Sequence, residues 1–371
     1  MKAKRITEET FALPNAGEVI MTLVKEGAII DGKAQLKVFN LPNAAEILLE
    51  HTKHGHGLGY EAELKIFDLD NREEILQEYT KRYQLWYNAL LKTFELGNAA
   101  EVILGHVSRG GKLSDEILHK VIELPQDKRD DILLEYLKKH EYRLNDDLQT
   151  EIFGLQGGKA REIQLEYIKY DCLYTEAELK IFELENWKEI LWAYTKRFSL
   201  SDTAQLKLFD LEDRENILLE YVKKGNMLCT KAQLKIFELD NREDILLECV
   251  KNGDSLGNET ELKLFDLPDD KVTQILLTYI KRYRLSNEAL LKVFDLDSAA
   301  EILLEYVRNG YELSDEAQIK VCNLPNASDI LQEYAKDKGN KLCNEAQKLY
   351  NKLKPNRVSK LKAKLAKLVS F

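Results

Sequence analysis

Ser286-Asn-Glu-Ala-Leu-Leu-Lys-Val-Phe294-Asp-Leu-Asp-Ser-Ala-Ala-Glu-Ile-Leu-Leu-Glu-Tyr306-Val-Arg-Asn-Gly310 is one copy of a phrase that recurs along nearly the whole chain. Its phenylalanine belongs to a column of Phe11, Phe39, Phe67, Phe94, Ile122, Phe153, Phe182, Phe209, Phe237, Phe265, Phe294, Cys322 and Tyr350. Successive members stand 27 to 31 residues apart, most often 28. Self-similarity at such a fixed period is the signature of stacked repeat architectures.

Each copy reads as two short helices. The first opens on a helix-capping residue followed by acids, as in Ser114-Asp115-Glu116, Ser201-Asp202, Ser286-Asn287-Glu288 and Ser314-Asp315-Glu316. A hydroxyl there satisfies orphan amides, and the acids suit the positive end of the helix dipole. A break follows three residues after the phenylalanine column, where Pro14, Pro42, Pro125, Pro268 and Pro325 sit. Other copies carry Asp70 with Glu73, or Asp240 with Glu243, which predicts a capping box. The second helix, as in Ala44-Ala45-Glu46-Ile47-Leu48-Leu49-Glu50, spaces its apolar residues helically. It ends in cations such as Lys81-Arg82, Lys138-Lys139 and Lys223-Lys224.

One rival fold fits the period. Ala-Gln-Leu-Lys-Leu-Phe-Asp-Leu alternates as a strand does, and a leucine-rich repeat has a similar length. The leucine-rich consensus order and its asparagine ladder are missing, and the Ser-Asp-Glu-Ala openings are helix starts. The expectation is an all-α chain, a right-handed-type α-solenoid of about twelve two-helix repeats of roughly 28 residues. Residues 1–350 form it as a single domain, and residues 351–371 add a basic amphipathic capping helix. The hairpin layout resembles the TPR, Sel1-like and HEAT class of repeats, although the TPR pattern W-x2-L-G-x2-Y is absent. That resemblance implies stacked hairpins that bind other proteins.

Composition sets the bounds. The 371 residues are 44% hydrophobic and 32% charged, a globular balance. The opening MKAKRITEET has no apolar core of a signal peptide, and no run of eighteen apolar residues occurs. Cys172, Cys229, Cys249, Cys322 and Cys343 form no CxxC pair and read as apolar residues in a reducing compartment. The net charge is −10, but residues 351–371 hold seven Lys/Arg and no acid. Residues 1–350 therefore set forty-seven bases against sixty-four acids, a charge of −17. So acidic a body repels phosphate backbones and argues against nucleic acid as partner.

A lysine stands two residues before most members of the phenylalanine column, from Lys37, Lys65, Lys92 and Lys120 through Lys180, Lys207, Lys235, Lys263, Lys292 and Lys320. Glu151 interrupts it. Such a ladder suits an acidic peptide or polyanion. Equally, each lysine finds an acid one turn earlier, six times in the favourable order: Glu61/Lys65, Glu116/Lys120, Glu176/Lys180, Glu259/Lys263, Glu288/Lys292 and Glu316/Lys320. A second column, Tyr79, Tyr136, Tyr167, Tyr194, Tyr221, Tyr279, Tyr306 and Tyr334, reads as packing between units with the hydroxyl at the edge.

Recognition is sought where copies depart from the phrase, between about residues 86 and 192. All three tryptophans are there: Trp86 at an expected cap, and Trp187 and Trp192 in one second helix. His119 and Thr150 replace leucine, and Gly157-Gly158 loosens a connection. The candidate partner-binding residues are Trp86, Trp187, Trp192, His119, Glu151, Lys180, Lys207 and Lys235. His51, His54 and His56 lie at a helix end, with no second ligand pair to make a metal site. In the tail, Val358, Leu361, Leu365 and Leu368 share one helical face, fit to cap the last hairpin or to lie on an anionic membrane.

Phosphate-loop, dinucleotide, zinc-protease and nucleophile-elbow motifs are absent, and no carboxylate pair stands out as catalytic. The expectation is a monomeric, cytoplasmic, non-enzymatic scaffold that binds another protein or peptide in an extended groove of the helical-repeat rod, with no cofactor and no metal. Delivery into a host cell leaves no signal readable here. The alternative is a helical repeat that binds nucleic acid or anionic lipid, or that lines its groove with an enzymatic site.

Overall fold

The computed structural model describes residues 4–141, 143–336 and 341–353. The expected tail face (Val358, Leu361, Leu365 and Leu368) lies outside the described residues. Twenty-four α-helices are formed among them, with one pair of two-residue parallel strands, β1 (Arg5–Ile6) and β2 (Ile29–Ile30). Apart from that pair, the regular structure of the described residues is all helical.

The helices fall into two compact units, residues 1–198 and 199–371. In the first, α1 (Ala16–Lys25) and α2 (Gly32–Val38) are followed by α3 (Ala44–Lys53), α4 (Tyr60–Ile66), α5 (Arg72–Thr80), α6 (Tyr87–Lys92) and α7 (Ala99–Ser108). Then come α8 (Asp115–Ile122), α9 (Gln126–Lys139), α10 (Asp146–Phe153), α11 (Ala160–Tyr167), α12 (Thr175–Ile181) and α13 (Trp187–Thr195). The second unit holds α14 (Asp202–Lys207), α15 (Arg214–Lys223), α16 (Thr230–Lys235), α17 (Arg242–Asn252), α18 (Asn258–Lys263) and α19 (Asp269–Tyr279). It continues with α20 (Asn287–Lys292), α21 (Ala299–Arg308), α22 (Asp315–Val321), α23 (Ala327–Tyr334) and α24 (Asn344–Leu353).

Within each unit the odd-numbered helices pack on one another in succession, α1 on α3 on α5 and α15 on α17 on α19. Even-numbered helices do the same, α2 on α4 on α6 and α14 on α16 on α18. The odd helices bury consecutive apolar pairs such as Ile47/Leu48, Ile75/Leu76, Val102/Ile103, Ile245/Leu246 and Ile302/Leu303. Each such side chain is worth about 1.5–3 kcal/mol of transfer free energy. The strand-like alternation of Ala-Gln-Leu-Lys-Leu-Phe resolves the same way. Ala204, Gln205, Leu208 and Phe209 are buried, a helical spacing, and the helix tightens to a 3₁₀ turn at Leu208–Asp210.

Caps follow the expectation on the even helices. The hydroxyls of Ser114, Ser201, Ser286 and Ser314 accept from the amides of Ile117, Ala204, Ala289 and Ala317. The capping boxes are not formed. The N-cap of α5 is Asn71, and Glu73 instead accepts from the Gly97 amide of the next hairpin at 2.8 Å. The cap asparagines turn the same way, from Asn43 to the Gly17 carbonyl at 3.1 Å and from Asn98 to that of Glu73 at 3.0 Å. A neighbour's exposed backbone lies nearer than the helix's own amides, so the local motif gives way to a bond between hairpins. The spacing of 31 before Phe153 is absorbed by α9, which starts directly after Pro125 and runs fourteen residues.

Candidate binding surfaces

Most of the recurring polar residues serve the fold itself. Every tyrosine of the second column is buried, so the hydroxyls do not reach the edge. Five of them, Tyr79, Tyr167, Tyr194, Tyr279 and Tyr334, meet a buried column of Gln and Glu four residues before the phenylalanine column, a partner the sequence reading missed. Tyr79 Oη donates to Glu63 Oε1 at 2.7 Å, Tyr194 to Glu178 at 3.0 Å and Tyr279 to Glu261 at 3.0 Å. Gln149 Nε2 donates to the Tyr167 oxygen at 2.9 Å. The other end of each clasp takes an amide of the following hairpin: Trp86 on Glu63, Tyr174 on Gln149, Cys229 on Gln205, Ser286 on Glu261 and Cys343 on Gln318. Buried polar groups are tolerated because they are paired in this manner.

Burial pushes the Glu63 carboxyl up to about 7, against the lowering effect of the Trp86 amide and the Tyr79 hydroxyl. Burial, added to by the Glu63 carboxylate beside it, drives the Tyr79 phenol well above its ordinary range. His51, His106 and Cys249 fill the tyrosine slot in their own hairpins. His51 is fully buried, and burial next to His56 lowers its pKa to about 4 against the raising effect of the Gly57 backbone. Among the described residues no group of three His, Cys, Asp or Glu is placed to hold a metal ion.

The lysine column also turns inward. Lys65 lies 5.9 Å from the centroid of the Phe39 ring, Lys92 lies 5.7 Å from Phe67, and Lys120 lies 5.9 Å from Phe94. In the second unit Lys235, Lys263, Lys292 and Lys320 cover Phe209, Phe237, Phe265 and Phe294 at 5.5–5.8 Å. Each cation thus reaches the aromatic ring of the preceding hairpin. Of the six expected pairs with an acid one turn earlier, Glu316–Lys320 forms among the described residues, at 3.9 Å. Lys180 and Lys207 instead meet the acids one turn later, Glu183 at 2.7 Å and Asp210 at 3.3 Å. The interruption at Glu151 falls where its ring partner is missing, because the preceding column member is Ile122. Glu151 takes His119 at 3.0 Å instead.

The tryptophans do not converge. Trp187 opens α13 with its ring 6.2 Å from Phe182 and Lys188 over it at 5.5 Å, and Trp192 is half-buried further along the same helix. Trp86 is elsewhere, as the N-cap of α6, where its side chain makes no cap bond. It is 58% exposed beside Tyr60 at 42% and Tyr87 at 47%. Tyr60 meets Trp86 edge to face at 6.1 Å, its oxygen accepts from Asn88 Nδ2 at 2.6 Å, and Tyr87 donates to Glu116. The three rings make a pinned aromatic patch on the edge formed by the starts of α4 and α6.

Shallow hollows lie between consecutive odd helices of the first unit. One of about 360 Å³ has Thr80, Leu104, Gly105 and Ser108 in its walls, and one of about 500 Å³ has Gln126, Asp130, Gly158 and Lys159. Gly158 sits at φ +45°, and a Cβ there would fall 2.3 Å from Asp130 Oδ2, which accepts the Lys159 amide at 2.9 Å. Asp130 is buried and paired with Arg129 at 2.9 Å, so its carboxylate is committed to the fold.

No helix among the described residues is long and apolar enough to cross a membrane. Comparison with protein-family models, with curated proteins and with solved structures finds no match to this chain.

Proposed function

We propose that the chain is a non-enzymatic scaffold of about twelve α-solenoid hairpins that binds another protein or peptide through the Tyr60–Trp86–Tyr87 edge. The observation that carries this is the 58% exposure of Trp86 at a cap position where four other hairpins place a bonded serine, Ser114, Ser201, Ser286 and Ser314. Giving up a serine cap costs about 1 kcal/mol, and exposing a large aromatic surface adds a solubility cost. Neither is offset within the scaffold, whereas tryptophan and tyrosine are the residues that most often anchor an interface.

The competing polyanion reading needs a free positive groove, and seven lysines of the ladder lie over phenylalanine rings instead. A reducing, cytoplasmic setting belongs to the proposal, and the free thiols at all five cysteines are consistent with it.

The test is crosslinking capture from a cell extract, quantified for the wild-type chain, for Trp86→Ala, and for Trp187→Ala with Trp192→Ala. Circular dichroism checks that each variant stays helical. The edge reading expects a specific protein to be lost with Trp86→Ala and kept with the other pair. A capture profile indifferent to Trp86 overturns it.

A further inference from the structure

The chain contains its own example of what this edge takes. The N-cap of α12 is Tyr174, the counterpart of Trp86 three hairpins later. Over its exposed ring lies the Arg143 guanidinium, 4.9 Å from the centroid, with Asp171 Oδ2 3.6 Å from Arg143 Nε. Arg143 stands ten residues before Phe153, a member of the phenylalanine column. Ten residues before Phe67, in the hairpin preceding Trp86, the same slot is held by Gly57. The register position that covers the aromatic cap in one place is thus a glycine in the hairpin before Trp86, where a Cβ would touch the Tyr83 ring.

The charge near the edge agrees. Glu61 opens α4 and Glu116, which accepts from Tyr87, opens α8, and among the described residues neither is in an ion pair. The reason is the lysine ladder. Lys65 and Lys120 go to rings of the preceding hairpins, leaving Glu61 and Glu116 uncompensated.

We propose that the Tyr60–Trp86–Tyr87 edge binds an arginine-bearing segment of its partner, whose guanidinium lies over Trp86 in the slot above Gly57. This rests on the scaffold reading and specifies its chemistry. A planar guanidinium stacks on an indole more favourably than an ammonium does, and nearby carboxylates add long-range attraction that salt screens. The same acids exclude an anionic ligand from this edge.

Gly57 gives a direct test, because its backbone lies outside the left-handed region and a Cβ there only touches the Tyr83 ring at 3.4 Å. The probe is a fluorescein-labelled peptide of twelve alternating arginine and leucine residues, with a citrulline counterpart, followed by anisotropy on the full chain. Gly57→Arg should fill the slot from within and weaken arginine-peptide binding at least fivefold, as should Trp86→Ala. Gly57→Ala should leave it within twofold of wild type, and so should Glu259→Gln with Glu288→Gln, which removes acids from helix starts lacking exposed rings. The proposal is overturned if the citrulline peptide binds as well, if Gly57→Arg binds like wild type, or if the Glu259/Glu288 variant weakens binding as much as Trp86→Ala. A captured partner that still depends on Trp86 while the arginine peptide fails would remove the chemistry and leave the scaffold standing. Indifference of both to Trp86 removes the two together.

Discussion

Glu63→Gln should make the protein more stable, and increasingly so as the solution becomes alkaline. The carboxyl is fully covered and takes two hydrogen bonds, from Tyr79 and the Trp86 amide, yet no cation pairs with it among the described residues. Its pKa of about 7 compares with an ordinary 4.5. A raised acid pKa in the folded state means that folding favours the protonated form. The penalty is therefore absent below about pH 4.5, grows between 4.5 and 7, and is complete above 7. The full difference of roughly 2.5 units corresponds to about 3 kcal/mol at 1.36 kcal/mol per unit. At pH 5 less than about 1 kcal/mol of it has developed. Glutamine keeps the geometry, since its oxygen can accept from the Trp86 amide while its nitrogen donates to the tyrosine oxygen, as Gln149 does with Tyr167. Urea unfolding of both chains at pH 5 and pH 8 measures the effect. A gap of about 2–3 kcal/mol at pH 8 that shrinks below about 1 at pH 5 is expected. A pH-independent gap, or a loss of stability at pH 8, refutes the reasoning.

His51 has the opposite sign. Its pKa is lowered to about 4, so stability should fall as the pH drops from about 6.5 to 4, and His51→Leu should flatten that part of the profile. An unchanged acid limb in the variant counts against a buried neutral imidazole. A double-mutant cycle of Lys263→Met with Phe237→Leu should give a coupling of about 0.5–1 kcal/mol, and a zero coupling refutes the cation–ring contact. Glu151→Lys should destabilise by breaking the bond to His119, and Ile122→Phe should recover part of that loss by restoring a ring beneath the new lysine. Thermal melts of the two single variants and the double variant check this, and strictly additive effects contradict it.

Much of the helical fold is legible in the sequence because its signals are local. The serine caps, the consecutive Ile-Leu core residues and the prolines at helix starts each act within one turn of chain. The errors arise where a side chain chooses a partner about 26 residues away over one four residues away. Lys65 passes over Glu61 for the Phe39 ring, and Glu73 passes over its own helix for Gly97. Period alone does not say which face of a hairpin meets its neighbour, so these choices are invisible until the hairpins are packed. The Gln/Glu column was in the phrase all along, and its interchange with Leu90, Leu118 and Leu290 marks it as an interior position. Trp86 was singled out for breaking the cap pattern, but the signal that matters beside it is the small residue at position 57, legible only once Arg143 is seen over Tyr174.

The polar clasps also decide how the molecule comes apart. Where Gln or Glu holds the next hairpin's amide, two neighbours are tied by directional bonds that must break in the same event. Leu90, Leu118 and Leu290 provide no such tie. Breathing in deuterated water should therefore open first at those three seams.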